Sequence, residues 1–155
     1  MRLTTKSRYG ARAIFDIAYH STGMPVQIKD ISKRQEIPPR YLEQIFQKLK
    51  KANIVKSIRG PGGGYILAKA PDKITVGDII QAMREPVDPV FCVDDENDNG
   101  KKCSRTGECV TRLVWKEAGE KITEFFDSVT VSDLCERAKN MGVKKDMKHP
   151  FDYSI

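Results

Sequence analysis

The sequence has no long hydrophobic run. Nowhere does it approach the roughly 18 consecutive apolar residues that a membrane-crossing helix needs. Met1-Arg2-Leu3-Thr4-Thr5-Lys6 is followed by no apolar h-region, so a secretory signal is not expected and a cytoplasmic location is. Catalytic constellations are lacking too. There is no nucleophile–base pairing, no carboxylate dyad and no Gly-rich loop that ends in Gly-Lys-Ser/Thr before a helix, which argues against an enzyme and against a small-molecule substrate. Histidine is scarce. His20 ends a helix and His149 lies in a polar tail, positions that suit solvated side chains better than metal ligands. Cysteine is limited to Cys92, Cys103, Cys109 and Cys135, and in a reducing compartment these are not expected to form structural disulfides.

What is present suits a folded chain. Its 155 residues are 39% hydrophobic and 31% charged, enough for one domain with a modest core. The net charge of +6 conceals a division. Residues 1–70 carry 14 Lys/Arg against 4 Asp/Glu, whereas residues 71–155 carry 13 against 17. A basic half points to a polyanion. Nucleic acid is preferred to a membrane surface because no basic helix has a membrane-inserting aromatic face. On charge alone, a solvated basic surface without a partner stays open.

Periodicity and punctuation divide the basic half into elements. Thr4 or Thr5 caps a helix to about Tyr19, with Tyr9, Ala13 and Ile17 along one side. Gly23-Met24-Pro25 ends it. A short helix follows from about Ile28 to Gln35, then a tight connection at Glu36-Ile37-Pro38. Pro39 opens a third helix that runs to about Ala52. In that helix Leu42, Ile45, Phe46 and Leu49 form a buried stripe. Arg40, Gln44, Gln47 and Lys51 lie opposite, with Glu43 on the flank. Helix, brief turn and amphipathic helix with a polar outer face is a helix-turn-helix pattern. Two surface helices of a bundle would look similar.

The next segment decides between them. Residues 53–59 are rich in β-branched residues, Gly60-Pro61-Gly62-Gly63-Gly64 is a turn, and Tyr65-Ile66-Leu67-Ala68 is a second strand. A hairpin directly after a helix-turn-helix is a wing. Arg59 stands beside backbone bare of side chains, able to approach a phosphate wall or a narrow minor groove.

In the acidic half, Ile74-Thr75-Val76-Gly77-Asp78-Ile79 and Val129-Thr130-Val131-Ser132-Asp133-Leu134 are near copies. Each has a Thr cap with Asp three residues on, and we read them as two helix starts rather than a functional repeat. Residues 86–102 read as an irregular loop with an acidic run at 94–98. A long helix is expected over about 107–127, with Val110, Val114, Ala118, Ile122 and Phe125 on one stripe widened by Trp115 and Phe126. That arc is broad for the small winged domain to cover. A second copy of the same helix is the favoured cover, and the C-terminal helix of the same chain the alternative. From Asn140 the tail is polar and expected to be loosely held.

Three cysteines fall in one stretch as Cys92-x10-Cys103-x5-Cys109. The close C-x2–4-C pairing of zinc ribbons is absent, and loosely spaced thiolates suit a larger inorganic core such as an iron–sulfur cluster. A thiol-rich loop without metal remains the alternative. Cys135 reads as a core residue.

Met1-Arg2-Leu3-Thr4, Tyr41-Leu42-Glu43-Gln44, Arg59-Gly60-Pro61-Gly62-Gly63-Gly64-Tyr65 and Cys109-Val110-Thr111-Arg112-Leu113-Val114-Trp115 together resemble the iron–sulfur-cluster regulators of the IscR/NsrR type, in the Rrf family of bacterial winged-helix repressors. The resemblance covers about residues 1–140. It implies a mainly α fold with a small β-hairpin wing, a homodimer, and a double-stranded DNA operator as partner. It implies DNA contacts by Arg40, Tyr41, Glu43, Gln44 and Gln47 of the recognition helix and by Arg59, Gly60 and Gly62 of the wing. It further implies a cluster on Cys92, Cys103 and Cys109, [2Fe–2S] in preference to [4Fe–4S], that governs operator affinity in response to redox, nitric oxide or iron status. A regulator with a thiol switch or zinc in place of the cluster is the alternative. The implied organisation is a winged domain at 1–85, a cluster loop at 86–108, a dimerisation helix with a short C-terminal helix at 109–141, and a flexible tail at 142–155. Two departures stand out. IscR-type sequences have His three residues after the last cysteine, where this chain has Arg112, a poor ligand because it stays protonated. NsrR-type sequences use an N-terminal Asp, where this chain has Arg8. The fourth ligand is left open among a loop carboxylate, Glu108, water or a small thiol, and a residue of the partner subunit.

Overall fold

The computed structural model describes residues 3–93 and 103–146. The first helix, α1 (Thr5–His20), starts where Thr4 Oγ1 accepts from the Lys6 amide at 3.2 Å. Ala13, Ile14 and Ile17 on its inner side are buried at the centre of the molecule. Helix α2 (Ile28–Gln35) is short, and Glu36 ends it at φ 53. This left-handed residue turns the chain within Ile37-Pro38 into α3 (Pro39–Lys51). Leu42, Ile45, Phe46 and Leu49 all lie in the core, so the spacing of apolar residues sets how α3 is rotated.

A buried ion pair fixes α2 to α1. Asp16 has no solvent exposure, and Arg34 Nη2 donates to its Oδ1 at 2.6 Å. Arg34 Nε donates to Oδ2 at 3.0 Å, and Gln35 Nε2 donates to the same oxygen at 2.9 Å. The Arg12 guanidinium donates to the Gln35 carbonyl. Burying a carboxylate is tolerable only with such compensation.

The hairpin pairs β1 (Val55–Ile58) antiparallel with β2 (Gly64–Leu67), in the register Val55↔Leu67 and Ile58↔Gly64. Val26, between α1 and α2, pairs with the other edge of β2 by exchanging two bonds with Tyr65 at 2.9 and 2.8 Å. The Tyr65 ring then sits 4.4 Å from that of Phe46 in α3. The wing is thereby anchored to both parts of the helix-turn-helix.

Both near-copy motifs start helices, α4 (Val76–Ala82) and later α6 (Val131–Asn140), each with a complete capping box. They also pair with each other. Val76 N donates to Val129 O, and Val131 N to Ile74 O, each at 2.9 Å, forming an antiparallel bridge at Thr75 and Thr130. This stitch brings α6 back onto α1, with Val131 in the same core as Ile74.

Between them, α5 (Val110–Ser128) begins three residues later than the spacing suggests. Residues 103–108 form turns instead, with the Thr106 amide and hydroxyl both donating to the Cys103 carbonyl. Helix α5 packs on α4 and on a 3₁₀ turn at Phe91–Val93. Because α6 lies on α1, the intramolecular cover for the α5 arc is not realised: Val110, Leu113, Val114, Trp115 and Phe125 are exposed. Ala118 and Ile122 of the expected stripe are half-buried.

The chain after α6 is held at its start rather than loose. Tyr19 Oη donates to the Val143 carbonyl at 2.7 Å, Asp146 N donates to His20 Nδ1 at 2.9 Å, and Asp146 lies 3.6 Å from Arg34. His20 is therefore a docking partner and not a freely solvated side chain. His149 and the acidic run at 94–98 lie outside the described residues.

Candidate nucleic-acid interface and cysteine site

The buried stripe of α3 turns its opposite side outward. Arg40, Glu43, Gln44, Gln47 and Lys51 are all exposed on it. Tyr41 is placed differently. It is half-buried on the flank toward α1, edge-on to Tyr9 with ring centroids 5.6 Å apart. At the wing tip Arg59, Gly60 and Gly62 are exposed. Gly60 adopts φ +106, and Gly63 N closes the turn on the Gly60 carbonyl at 2.9 Å. A Cβ at Gly63 would lie 2.3 Å from the Ile58 carbonyl oxygen, so this tight tip demands glycine. The arrangement is a polar reading helix beside a slender, Arg-bearing wing on the basic half of the chain. Such a surface suits a major groove with an adjacent minor groove.

The three cysteines of the loop are free thiols, each half-buried. Cys109 occupies the N-cap of α5. Its Sγ lies 3.2 Å from Thr111 Oγ1. That hydrogen bond, with backbone amide donation from Arg112 and the charge of Arg105, holds the thiol below its ordinary range. Cys92 sits in the 3₁₀ turn, and Arg112 Nε donates to its carbonyl at 2.8 Å. Arg112 thus ties the first cysteine to the first turn of the helix capped by the third. Cys103 starts the turns that lead into α5. The three side chains are not gathered: among the described residues no group of three Cys, His, Asp or Glu stands ready to hold a metal ion. Lys101 and Lys102, the nearby lysines of the loop, lie outside the described residues. Cys135 is half-buried in α6 rather than fully in the core, and burial pushes its thiol up, which makes it the poorest thiolate donor of those whose shifts are resolved.

Sequence reasoning missed the tether from Arg112 to Cys92, because nothing local pairs residues 20 apart. The Thr111 contact had a signal, a hydroxyl two residues past a helix-capping thiol. No described helix is long and apolar enough to cross a membrane.

Comparison with known proteins places these features. Residues 3–137 match the model of the Rrf2 family, described as iron-dependent transcriptional regulators. The HTH-type transcriptional regulator IscR of Erwinia tasmaniensis is 45% identical over 135 residues, covering 86% of this chain and 78% of that protein. The protein of the same name from Pectobacterium carotovorum is 41% identical over 143 residues, covering 92% and 84%. Among solved structures, T. potens IscR superposes with a TM-score of 0.73 at 36% identity, covering 94% of this chain and 93% of that one. CymR, the global cysteine regulator of B. subtilis, also gives 0.73 at 34% identity, covering 88% and 98%. The winged-helix fold is common to these structures, and the matching proteins are regulators rather than enzymes. The chain is a DNA-binding transcriptional regulator of the Rrf2 family.

Proposed function

We propose that this regulator works as a homodimer whose affinity for its operator is set by an iron–sulfur cluster on Cys92, Cys103 and Cys109. The observation that carries the reading is the placement of those thiols: of three free cysteines, Cys92 and Cys103 precede and Cys109 caps the helix that also bears the exposed apolar arc. The donor set fits the group, since soft, anionic thiolates suit iron–sulfur cores and the N-terminus of α5 favours negative charge. When bound, a cluster supplies an inorganic centre sensitive to oxidants, nitric oxide and iron supply, with [2Fe–2S] expected. The chain's own part is to bring the three sulfurs together. Arg112 holds the Cys92 backbone near α5, Thr111 and Arg105 keep Cys109 disposed to ionise, and the fourth ligand comes from outside the trio.

The operator is read by Arg40, Glu43, Gln44 and Gln47 with Tyr41 at the flank, while Arg59 enters a groove with Gly60 and Gly62 beside it. Two copies joined through Val110, Leu113, Val114, Trp115 and Phe125 of α5 present two such surfaces to a two-fold operator. The winged domain, cluster loop, dimerisation helix and tail then divide the labour as the sequence implied, with the exposed start of the tail tied to α1 and α2 through Val143 and Asp146. Sensing couples to DNA affinity because the helix capped by Cys109 also forms the seam, so rearrangement of the loop shifts one winged domain against the other. A thiol switch or zinc site is the second reading, favoured by the lowered Cys109 thiol and by a fold that matches CymR as well as IscR.

The test is anaerobic purification followed by iron and sulfide analysis, a visible spectrum and operator titration of four single Cys→Ala variants. Coloured protein containing iron and sulfide, lost in the Cys92, Cys103 and Cys109 variants and kept in the Cys135 variant, is expected. Full iron in the Cys103 variant refutes the ligand set. Unchanged operator affinity in every cluster-free variant refutes the sensing mechanism. Colourless zinc-free or zinc-bearing protein selects the second reading.

A further inference from the structure

Beside the outward face of α3 the surface sinks into a hollow of about 470 Å³. Separate stretches of chain converge on it: Lys48 and Lys51 from the last turns of α3, Lys69 from just past β2, and Asp78, Gln81 and Arg84 from α4 and its end. Four of these side chains are cationic and one is anionic. The anion is engaged in its own helix, since Asp78 Oδ2 accepts from the Thr75 amide at 2.9 Å. Lys48 Nζ points to the Met83 carbonyl at 3.4 Å, as expected of a cation near a helix C-terminus. Lys51, Lys69 and Arg84 have no carboxylate partner among the described residues. Helix ends do not account for Lys69, which belongs to neither helix. Arg84 adds a second oddity: it stands at φ 56, a left-handed conformation in which glycine or asparagine is the ordinary occupant. Unpaired cations drawn around one concavity focus positive potential into it.

The position of the hollow selects its ligand. Lys51 lies on the same outward face as Arg40, Gln44 and Gln47, so the hollow opens at the end of the reading surface. A smaller hollow of about 30 Å³ between Lys6, Tyr41, Gln44 and Lys48 continues along the same flank of α3 toward α1. A helix that lies in a major groove has the sugar–phosphate walls along its flanks. We propose that Lys51, Lys69 and Arg84 form a phosphate seat, which holds a backbone phosphate of the bound duplex beside the base-reading face of α3. The proposal rests on the DNA-binding reading above and deepens it. Base edges meet the outward face, while the flank fixes the register of the protein on the duplex without reading sequence.

The experiment uses the full chain with two labelled duplexes, one selected from random sequence by the parent protein and one scrambled, titrated by fluorescence anisotropy over a salt series. The variants are Lys51→Gln, Lys69→Gln, Arg84→Asn and the triple. Asparagine at 84 retains the left-handed backbone, and a thermal melt checks each fold. Loss of one phosphate contact per protomer lowers the slope of log affinity against log salt by about 0.9 per contact, so by about 2 in the triple-variant dimer. Affinity for both duplexes falls together, and their ratio is unchanged. A triple variant with the parent's slope overturns the seat, as does a variant that loses the ratio between duplexes while keeping the slope. Calorimetry with sodium pyrophosphate distinguishes the other source of the same chemistry: saturable binding to the parent, lost in the triple variant while the DNA slope stays unchanged, gives the hollow to a free phosphate compound and overturns the backbone assignment. A parent protein that binds neither duplex overturns the DNA-binding reading and the seat together, whereas an unaltered slope in a DNA-binding parent overturns the seat alone.

Discussion

Replacing Asp16 with Ala tests what orients the helix-turn-helix. The carboxylate has no solvent exposure and the Arg34 side chain is 13% exposed. Removing the acid leaves the guanidinium with Asp146 as a partner at 3.6 Å, an exposed contact worth at most about 1 kcal/mol. It also strands the Gln35 amide that now meets Asp16 Oδ2 at 2.9 Å. Breaking one side of a buried pair costs about 3–5 kcal/mol, a large share of the roughly 5–15 kcal/mol that stabilises a domain. For a chain of this size that lowers Tm by roughly 10 °C or more. Urea unfolding measures it, and the loss persists at about 1 M salt because a buried pair is screened little. The double variant Asp16→Leu with Arg34→Met removes both charges and recovers most of the stability, since an apolar pair of similar volume avoids the desolvation cost. Operator binding follows stability, as Asp16 faces α2 and not DNA. A loss below about 1 kcal/mol in Asp16→Ala, or a double variant no better than the single, refutes the claim that this ion pair clamps α2 to α1.

Three further outcomes are expected. Arg59→Ala weakens operator binding by about 1–3 kcal/mol, read by anisotropy across a salt series, and parent-like affinity throughout removes the wing from the interface. Phe125→Glu, at a position 56% exposed in the single chain, buries an unpaired charge in the proposed seam, and sedimentation shows monomer; a dimer persisting at low micromolar concentration places the seam elsewhere. Burial, opposed by Asp16 and Asp146 and aided by Arg34 and Lys145, lowers the pKa of His20, whose neutral Nδ1 accepts from Asp146 N. The unfolded chain therefore takes up this proton first, so the contact is intact above about pH 6.5 and is lost as pH falls through the folded value. Protection of the amides at residues 143–146, corrected for the slower intrinsic exchange at low pH, falls on acidification below the ordinary histidine range, and protection that stays constant down to about pH 4 contradicts the assignment.

Some of this protein was written in short-range rules. The spacing of Leu42, Ile45, Phe46 and Leu49 sets which side of α3 faces out, because a helix repeats every 3.6 residues whatever surrounds it. Thr75 with Asp78, and Thr130 with Asp133, start helices through bonds that span three residues. The glycines at 60 and 62–64 permit the wing tip by their own conformational freedom. The loop cysteines were legible as a donor set, since the chemistry of a thiol needs no neighbours to be named.

Tertiary structure alone decided the rest, because each remaining contact joins residues that no local pattern relates. An aspartate on a helix reads as solvated, and only the approach of α2 buries Asp16 against Arg34. Two helix starts that looked independent became a bridge between residues 75 and 130. That bridge sends α6 to α1, which is why α6 does not cover the apolar arc of α5 and the arc is exposed among the described residues. A polar tail became a docked segment because Tyr19 and His20 offered it a donor and an acceptor. Arg112, read from sequence as a missing ligand, became a tether for the backbone of Cys92. Lys51, Lys69 and Arg84 are unremarkable as surface cations, and only the packing of α3, β2 and α4 sets them around one hollow.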